Sequence, residues 1–357
     1  MKKININYIK AYLQMNLGDD MLVDLLVRRY PYETFYIFCD PKKARAFKHI
    51  DNVRVTYTFT YKVICLLNKL RIIKSKKLNP LWFHSCKSII RIGGSIFKEP
   101  SGWNDKQRKS YITKDTFYIG CNFGPCVSES FYQEVYRRIQ TANSACFRDS
   151  YSFNMFKKLE NVRQAPDCLF GYLYEDVIAK KNLIGISVIS LEERKNLRKF
   201  ADDYYASIGR FVNYVLTNGY SVRMFSFCEA EGDKKAIDRI LSMCGKTESI
   251  EVVNYNGDIR GFLNSYGECE HLLATRFHGS IIGWSMGRNV IPIIYSNKQT
   301  NVFSDLQYNG FVWDVLSTPY MEPELLYKKL TSNACPNVEK EKKESVKQFE
   351  CLDSFFN

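Results

Sequence analysis

Ala274-Thr275-Arg276-Phe277-His278-Gly279-Ser280 is the stretch on which the reading of this chain turns. The residues before it, Glu270 to Thr275, form a short and mostly apolar run of buried-strand length. Those after it, Ile281, Ile282, Trp284 and Ser285-Met286, read as a small-residue helix ending at Gly287, and Asn289 to Tyr295 is strand-like again. Arg276 and His278 therefore stand at the carboxyl end of a strand, on the turn that opens a helix. Open α/β sheets bind ligands at such turns, because free backbone N–H groups and the positive helix end favour an anion. An arginine and a histidine two residues apart add a fixed charge and a proton donor to that cradle, and Gly279 and Ser280 extend it. A surface arginine beside a histidine that caps its own helix is the plain alternative, and the strand-turn-helix setting weighs against it. The turn is the expected active site.

Working outward, strands and helices alternate through the chain. In the first half, strands are expected at Lys3 to Tyr8, Thr34 to Cys39, Asn52 to Phe59, Ser88 to Ile92, Thr116 to Gly120 and Ser144 to Phe147. Helices fall at Asp19 to Arg29, whose acidic first turn suits its N-terminus, and near Ser128 to Thr141. A second series begins at Leu183, with strands at Leu183 to Ile189, Ser221 to Phe227 and Ser249 to Val253. Its helices are Asp202 to Thr217, Lys234 to Cys244 and Asp258 to Tyr266. The rhythm predicts an α/β protein of two Rossmann-like domains facing a central cleft, a GT-B-like arrangement. The expected boundaries are 1–175 for the N-terminal domain and 183–320 for the C-terminal one, with a polar hinge around Tyr174 to Asn182. A charged helical tail over 321–357 either packs back across the domains or is simply solvated.

A length of 357 residues is natural for two domains, and 45% hydrophobic with 25% charged residues describes a globular protein. Met1-Lys2-Lys3 is not followed by a signal-peptide core, since Asn5, Asn7 and Lys10 interrupt the apolar run, and no uncharged apolar segment is long enough for a bilayer. The cytoplasm is the expected compartment. Twelve cysteines show no Cys-x-x-Cys spacing, and Cys39, Cys65, Cys146, Cys168 and Cys228 lie in apolar runs, as reduced and buried thiols do. Cys121 and Cys126 flank Gly124-Pro125 without making a metal motif.

The net charge of +13 comes without a zinc-finger, RNA-recognition or helix-turn-helix pattern, so nucleic acid is not the expected partner. Much of the charge sits in one segment, 62–77, where Lys62, Lys69, Arg71, Lys74, Lys76 and Lys77 interleave with Val63, Ile64, Leu66, Leu67, Leu70, Ile72 and Ile73. Two readings stand level: a surface that meets an anionic membrane on its inner face, or a solvated helix with one buried side.

Other turns offer binding groups. Asn16-Leu17-Gly18-Asp19-Asp20 follows the first strand, where Gly18 permits a close approach and Asn16 can donate to an anion or orient a hydroxyl. Asp19 and Asp20 read more readily as a helix-capping pair than as a base. Gly93-Gly94-Ser95 follows a later strand and presents backbone N–H groups. Neither has dinucleotide or P-loop spacing. Phe147-Arg148-Asp149-Ser150 repeats the strand-turn-helix setting, and either Arg148 serves the site or Asp149 caps the helix with Arg148 as its partner.

Asn16-x-Gly18-Asp19, Gly93-Gly94, Arg148-Asp149-x-x-Ser152, Pro166-Asp167, Arg276-x-His278-Gly279 and Pro292 with Tyr295-x-x-Lys298 resemble the polysaccharide pyruvyl transferases in order and spacing. The resemblance runs from about residue 5 to 310, and its most specific part is Arg-x-His-Gly with the downstream Pro and Lys. It implies a GT-B-like fold and transfer of the pyruvyl group of phosphoenolpyruvate to a sugar, forming a cyclic ketal. It assigns Arg148, Arg276 and His278 to phosphoenolpyruvate, and Asn16 to the turn near the reacting groups. Gly18, Asp19, Gly93, Gly94, Ser95, Gly279, Ser280 and Lys298 complete the expected binding set. Around Glu99 to Asn104 and Glu229 to Asp233, where acceptor contacts would lie, there is no clear pattern. The family suggests a 4,6-ketal on a galactose or N-acetylmannosamine type hexose, carried on a lipid diphosphate such as undecaprenyl diphosphate during capsule or cell-wall polysaccharide assembly.

The residue chemistry agrees on its own terms. Phosphoenolpyruvate carries a phosphate and a carboxylate, and two arginines with a helix N-terminus suit two anionic groups. Addition of a hydroxyl to C2 requires a proton at C3, and a histidine is the side chain suited to supply it near neutral pH. The arginines would stabilise departing phosphate, so neither metal nor cofactor is expected. Two other functions compete. One is a GT-B nucleotide-sugar glycosyltransferase, and retaining enzymes of that type often carry two glutamates eight residues apart. Here Arg276 follows Glu268 and His278 follows Glu270 at that distance. The other is a non-catalytic protein of the membrane surface.

Overall fold

Parallel pairing accounts for every strand contact among the described residues, which in this computed structural model are 4–56, 86–103, 112–245 and 247–357. The chain divides into two units, one built from the residues up to Leu13, Asp19–Cys168 and Glu344–Asn357, the other from Gln14–Gly18 and Leu169–Lys343. The α/β class expected from the βα rhythm is what forms.

In the first unit the strands are β1 (Ile4–Lys10), β2 (Phe35–Phe38), β3 (Val53–Thr56), β4 (Cys86–Ile92), β5 (Thr116–Cys121), β6 (Ser144–Phe147) and β7 (Val162–Gln164). They lie in the order β3-β2-β1-β4-β5-β6-β7. Helix α1 (Leu17–Arg29) follows β1, α2 (Glu129–Thr141) joins β5 to β6, and α3 (Ser150–Phe156) follows β6. Every residue of β5 and β6 is buried, as the two covered faces of a parallel sheet require. Phe97, Tyr118, Phe131, Val135, Phe147 and Phe156 fill the core on one side of β5 and β6. The basic segment 62–77 lies outside the described residues.

In the second unit β8 (Lys180–Ser187), β9 (Ser221–Ser226), β10 (Ile250–Asn254), β11 (Cys269–Ala274), β12 (Asn289–Ile294) and β13 (Trp313–Asp314) take the order β10-β9-β8-β11-β12-β13. The connecting helices are α4 (Ala201–Thr217), α5 (Asp233–Leu241), α6 (Ile259–Gly267), α7 (Phe277–Ser285) and α8 (Asn297–Asp305), followed by α9 (Pro323–Ser332). Tyr204, Tyr205, Ile208, Phe211 and Val215 of α4 pack on Ile184 and Ile186 of β8 and Met224 of β9. Burial of each such side chain contributes roughly 1.5–3 kcal/mol. Each sheet starts in the middle and grows to one edge before reversing, between β1 and β4 in one unit and β8 and β11 in the other. Crevices at such reversals, beyond the strands' carboxyl ends, are where doubly wound sheets bind ligands.

The tail divides in two. The short charged helix α10 (Glu339–Glu344) has no buried residue, whereas Glu344–Asn357, with α11 (Glu350–Phe356), belong to the first unit. Gln348 is 1% exposed there, and its side chain accepts from Gly120 N at 2.9 Å while donating to Ala165 O at 2.7 Å and Pro166 O at 3.1 Å.

Candidate active site

The Arg276 turn is fixed before its functional side chains begin. Thr275 is fully buried: its N–H donates to Ser187 O at 3.0 Å, its hydroxyl pairs with Tyr204 Oη at 2.8 Å, and its carbonyl accepts from Gln299 Nε2 at 3.3 Å. Arg276 then holds an extended backbone as the N-cap of α7. Tyr266 Oη, donating to Gly279 O at 3.1 Å, ties down the first turn of that helix. The strand (Cys269–Ala274) and helix (Phe277–Ser285) flank the turn as the apolar run and the small-residue segment predicted, within two residues at each bound compared.

The Arg276 side chain does not stand in the open. It is 8% exposed, and its Nε donates to Asp233 Oδ2 at 2.9 Å while Nη2 reaches Asp233 Oδ1. Its Nη1 donates to Glu231 Oε2 at 2.5 Å. Arg194 donates to the same Glu231 oxygen at 3.0 Å, and Asn16 Nδ2 lies 3.5 Å from the other. Asp233 is fully buried and also accepts from the N–H groups of Phe227 and Cys228, both at 3.0 Å. Burial pushes the Asp233 carboxyl above its ordinary value, against the pull of Arg276. Burial also works against ionised Glu231, but the charges of Arg276, Arg194 and Lys298 outweigh it and hold that carboxyl below its ordinary value. The arginine itself would be disfavoured by burial, and Asp233 and Glu231 reverse that and raise it well above its usual range. Three cations and two carboxylates thus share this corner.

His278, partly exposed, lies against the Asn16-Gly18 turn. A Cβ built on Gly18 would overlap the imidazole, 2.6 Å from Cγ and 2.8 Å from Cε1, so only glycine lets the ring approach this closely. Asn16 is 8% exposed, and its Oδ1 accepts from Gly18 N at 3.2 Å, closing the turn on itself. Leu17 N donates to Phe227 O at 3.1 Å, which sets this turn beside the loop carrying Glu231 and Asp233. Asn16, Gly18, Arg276, His278, Gly279 and Lys298 are therefore gathered in the second unit. Ser280 is buried behind them on α7.

A second group forms in the first unit. Arg148, 4% exposed at the end of β6, donates from Nη1 to Asp167 Oδ2 at 2.7 Å and from Nη2 to Asn122 Oδ1 at 3.1 Å. Asp149 caps α3, accepting from Ser152 N at 2.8 Å and Ser152 Oγ at 2.9 Å. The cap half of the alternative reading thus forms, and Arg148 pairs with Asp167. Gly94 sits against the guanidinium, where a Cβ would be 2.6 Å from Cζ. A Cβ on Gly93 would be 3.4 Å from Asp19 Oδ1, so Asp19, Gly93, Gly94 and Arg148 come together, with Ser95 exposed beside them.

Sequence reasoning named Glu229 to Asp233 only as a patternless acceptor stretch, whereas Glu231 and Asp233 hold Arg276, and it did not single out Arg194 or Asn122. For Arg194, Glu231 and Asp233 the signal was present but weak: a stretch of charged residues after a strand has no spacing that separates a site from a solvated loop. Among the described residues no group of three or more His, Cys, Asp or Glu side chains is arranged to hold a metal ion, and no helix is long and apolar enough to cross a membrane.

Comparison with known proteins identifies the family and the fold. The model of the polysaccharide pyruvyl transferase family matches residues 16–297, from Asn16 through both arginine turns and stopping one residue before Lys298. The amylovoran biosynthesis protein AmsJ of Erwinia amylovora is 24% identical over 258 residues, 64% of this chain. The chain spans 62% of the length of that relative. Among solved structures, a UDP-N-acetylglucosamine 2-epimerase described as putative, from Listeria monocytogenes, aligns over 99% of this chain and 97% of its own, with a TM-score of 0.55 at 10% identity. A mutant of TarM from S. aureus aligns over 100% of both chains, with a TM-score of 0.55 at 10% identity. HepE of Anabaena, bound to UDP and glucose, covers 98% of this chain and 96% of its own at a TM-score of 0.54 and 11% identity. These likenesses establish the GT-B-like fold.

Proposed function

The chain belongs to the polysaccharide pyruvyl transferase family, and from that premise we propose that it moves the pyruvyl group of phosphoenolpyruvate onto a hexose during polysaccharide assembly, forming a cyclic ketal. The observation that carries the reading is the placement of His278 against Gly18, beside an arginine after β11 that is held by two carboxylates after β9. A sugar hydroxyl oxygen adds to C2 of the enol, losing its proton, while C3 gains one and becomes a methyl group. The His278 imidazole supplies that proton. A second hydroxyl of the same sugar then bonds to C2 as the C2–O bond to phosphate breaks, and its proton leaves with the phosphate. Inorganic phosphate leaves with the charge, which Arg276, Arg194 and Lys298 offset. Arg148 is the corresponding cation of the first unit.

The family and the charge support a proposal for the acceptor. We take it to be a 4,6-diol of a galactose or N-acetylmannosamine type unit, on a lipid diphosphate at the inner face of the membrane. Each basic residue near an anionic surface contributes ~1 kcal/mol of attraction, so the segment 62–77 would hold the enzyme beside such a substrate.

The test is direct. Incubation with phosphoenolpyruvate and an acceptor glycan should release phosphate and add one ketal-linked pyruvyl group, read by mass and by the ketal methyl resonance. Sugar transfer from a nucleotide sugar without consumption of phosphoenolpyruvate would overturn the reading. Replacing Lys69, Arg71, Lys74 and Lys76 by Gln should lower activity on a lipid-linked acceptor far more than on a short soluble one. Equal loss on both removes the membrane argument.

A further inference from the structure

The two carboxylates around Arg276 are not equivalent. Asp233 is fully buried and takes the Nε and Nη2 edge of the guanidinium, with its remaining capacity filled by two backbone N–H groups. All four partners are donors, which an ionised carboxylate satisfies, and this two-point grip fixes Arg276 without help. Glu231 is different. Its side chain is one quarter exposed, and both arginines converge on its single oxygen Oε2, from Arg276 at 2.5 Å and from Arg194 at 3.0 Å. Lys298 adds a third positive charge within electrostatic reach. Arg194 stands with its guanidinium 5.4 Å from the Tyr295 ring centroid, and its buried Nε has no hydrogen-bond partner among the described residues. A point between two guanidiniums with an ammonium nearby is where an anionic oxygen of a ligand is best received.

We propose that Glu231 is an exchangeable internal anion: its Oε2 holds the position that an oxygen of a phosphoryl group takes between Arg194 and Arg276, and it yields that position on binding. Arg194 thereby joins the anion site. The inference rests on the pyruvyl-transfer reading for the identity of the phosphoryl ligand, either the donor's phosphate or the released one, which share the same chemistry. Asp233 is the structural partner of Arg276, and Glu231 is the competitor. A clamp and a competitor have opposite signatures. Removing the charge of a clamp weakens ligand binding, whereas removing the charge of a competitor strengthens it.

The experiment is calorimetric titration of the full chain with inorganic phosphate and, separately, with phosphoenolpyruvate. Glu231→Gln keeps the shape and removes the charge, and it should bind phosphate about tenfold more tightly, as loss of one like charge a few ångströms away implies. Arg194→Gln should bind it at least tenfold more weakly. Phosphate binding by Glu231→Gln that equals or falls below that of the wild type overturns the proposal, and so does wild-type affinity in Arg194→Gln. Thermal unfolding without phosphate verifies that each variant folds, and Glu231→Ala carries the same expectation if the glutamine variant does not. Pyruvyl transfer is assayed in parallel. Active wild-type enzyme with unchanged phosphate affinity in Glu231→Gln sinks this inference alone. Tighter phosphate binding in the variant, with no pyruvyl transfer by any form, sinks the parent reading alone.

Discussion

The two arginine turns look alike in sequence and differ in how their charge is closed. Arg148 pairs with Asp167, 4% and 1% exposed, and donates to the neutral Asn122. Arg276 has two carboxylates and shares one of them with Arg194, beside a histidine and a lysine. A closed pair gives a rigid landmark, because separating it leaves a buried charge without a counter-ion. An open cluster can change partners at low cost. From this contrast we propose that the chemistry belongs to the second-unit turn and a positioning role to the first.

The strongest way to break that division is His278→Ala. A general acid contributes ~10²–10⁴-fold, so turnover measured by phosphate release should fall by that factor while the unfolding temperature stays put. Retention of more than about a tenth of the activity would place the proton donor elsewhere.

Charge removal beneath each arginine comes next. Asp167→Asn should destabilise the fold by about 3–5 kcal/mol in urea unfolding, the usual cost of stranding a buried guanidinium. Glu231→Gln should cost less, because Asp233 keeps its two-point grip on Arg276. If Glu231→Gln proves the more damaging, the open cluster is not open. The two close-approach glycines sharpen the same contrast. Gly94→Ala drives a methyl into the locked Arg148 guanidinium and should cost about 1–3 kcal/mol as an overpacked core does. Gly18→Ala meets a partly exposed histidine that can turn away, so activity should suffer more than stability.

How much of this was legible in the sequence depends on what each feature obeys. Strand positions were, because a parallel sheet buries apolar runs such as Thr116–Cys121 on both faces. The turns were, because Arg276-x-His278-Gly279 falls between a strand and a small-residue helix. Edge elements such as β7 and β13, three and two residues long, carry no period to detect. The partners of the arginines were also hidden. Asp167 is 19 residues from Arg148 and Asp233 is 43 from Arg276, distances that only the folded sheet closes. The attachment of the C-terminal residues to the first unit was equally unreadable, since a charged helix predicts its exposed face and not its neighbour.

That attachment yields the smallest effect. Asp353 of α11 accepts from Arg29 Nε at 2.8 Å, Arg29 Nη2 at 2.7 Å and Tyr30 Oη at 2.7 Å, with the Tyr30 and Phe356 rings 4.9 Å apart. Burial opposes the charged form, yet the hydrogen bonds from Arg29 and Tyr30 and the Arg29 charge prevail and hold the Asp353 carboxyl below its ordinary value. A carboxyl lowered by folding contributes stability above its unfolded value of ~3.9, and that contribution drains away as pH falls through the lower folded value. Both side chains are about a third exposed, so water screens the pair and Asp353→Asn should cost no more than about 1 kcal/mol at neutral pH. Urea unfolding at neutral pH and in acid distinguishes the cases. The wild type and the variant should differ at neutral pH and converge below the folded value. A difference that persists in acid would mean that α11 is held by its aromatic rings alone, and that its charge plays no part in closing the first unit.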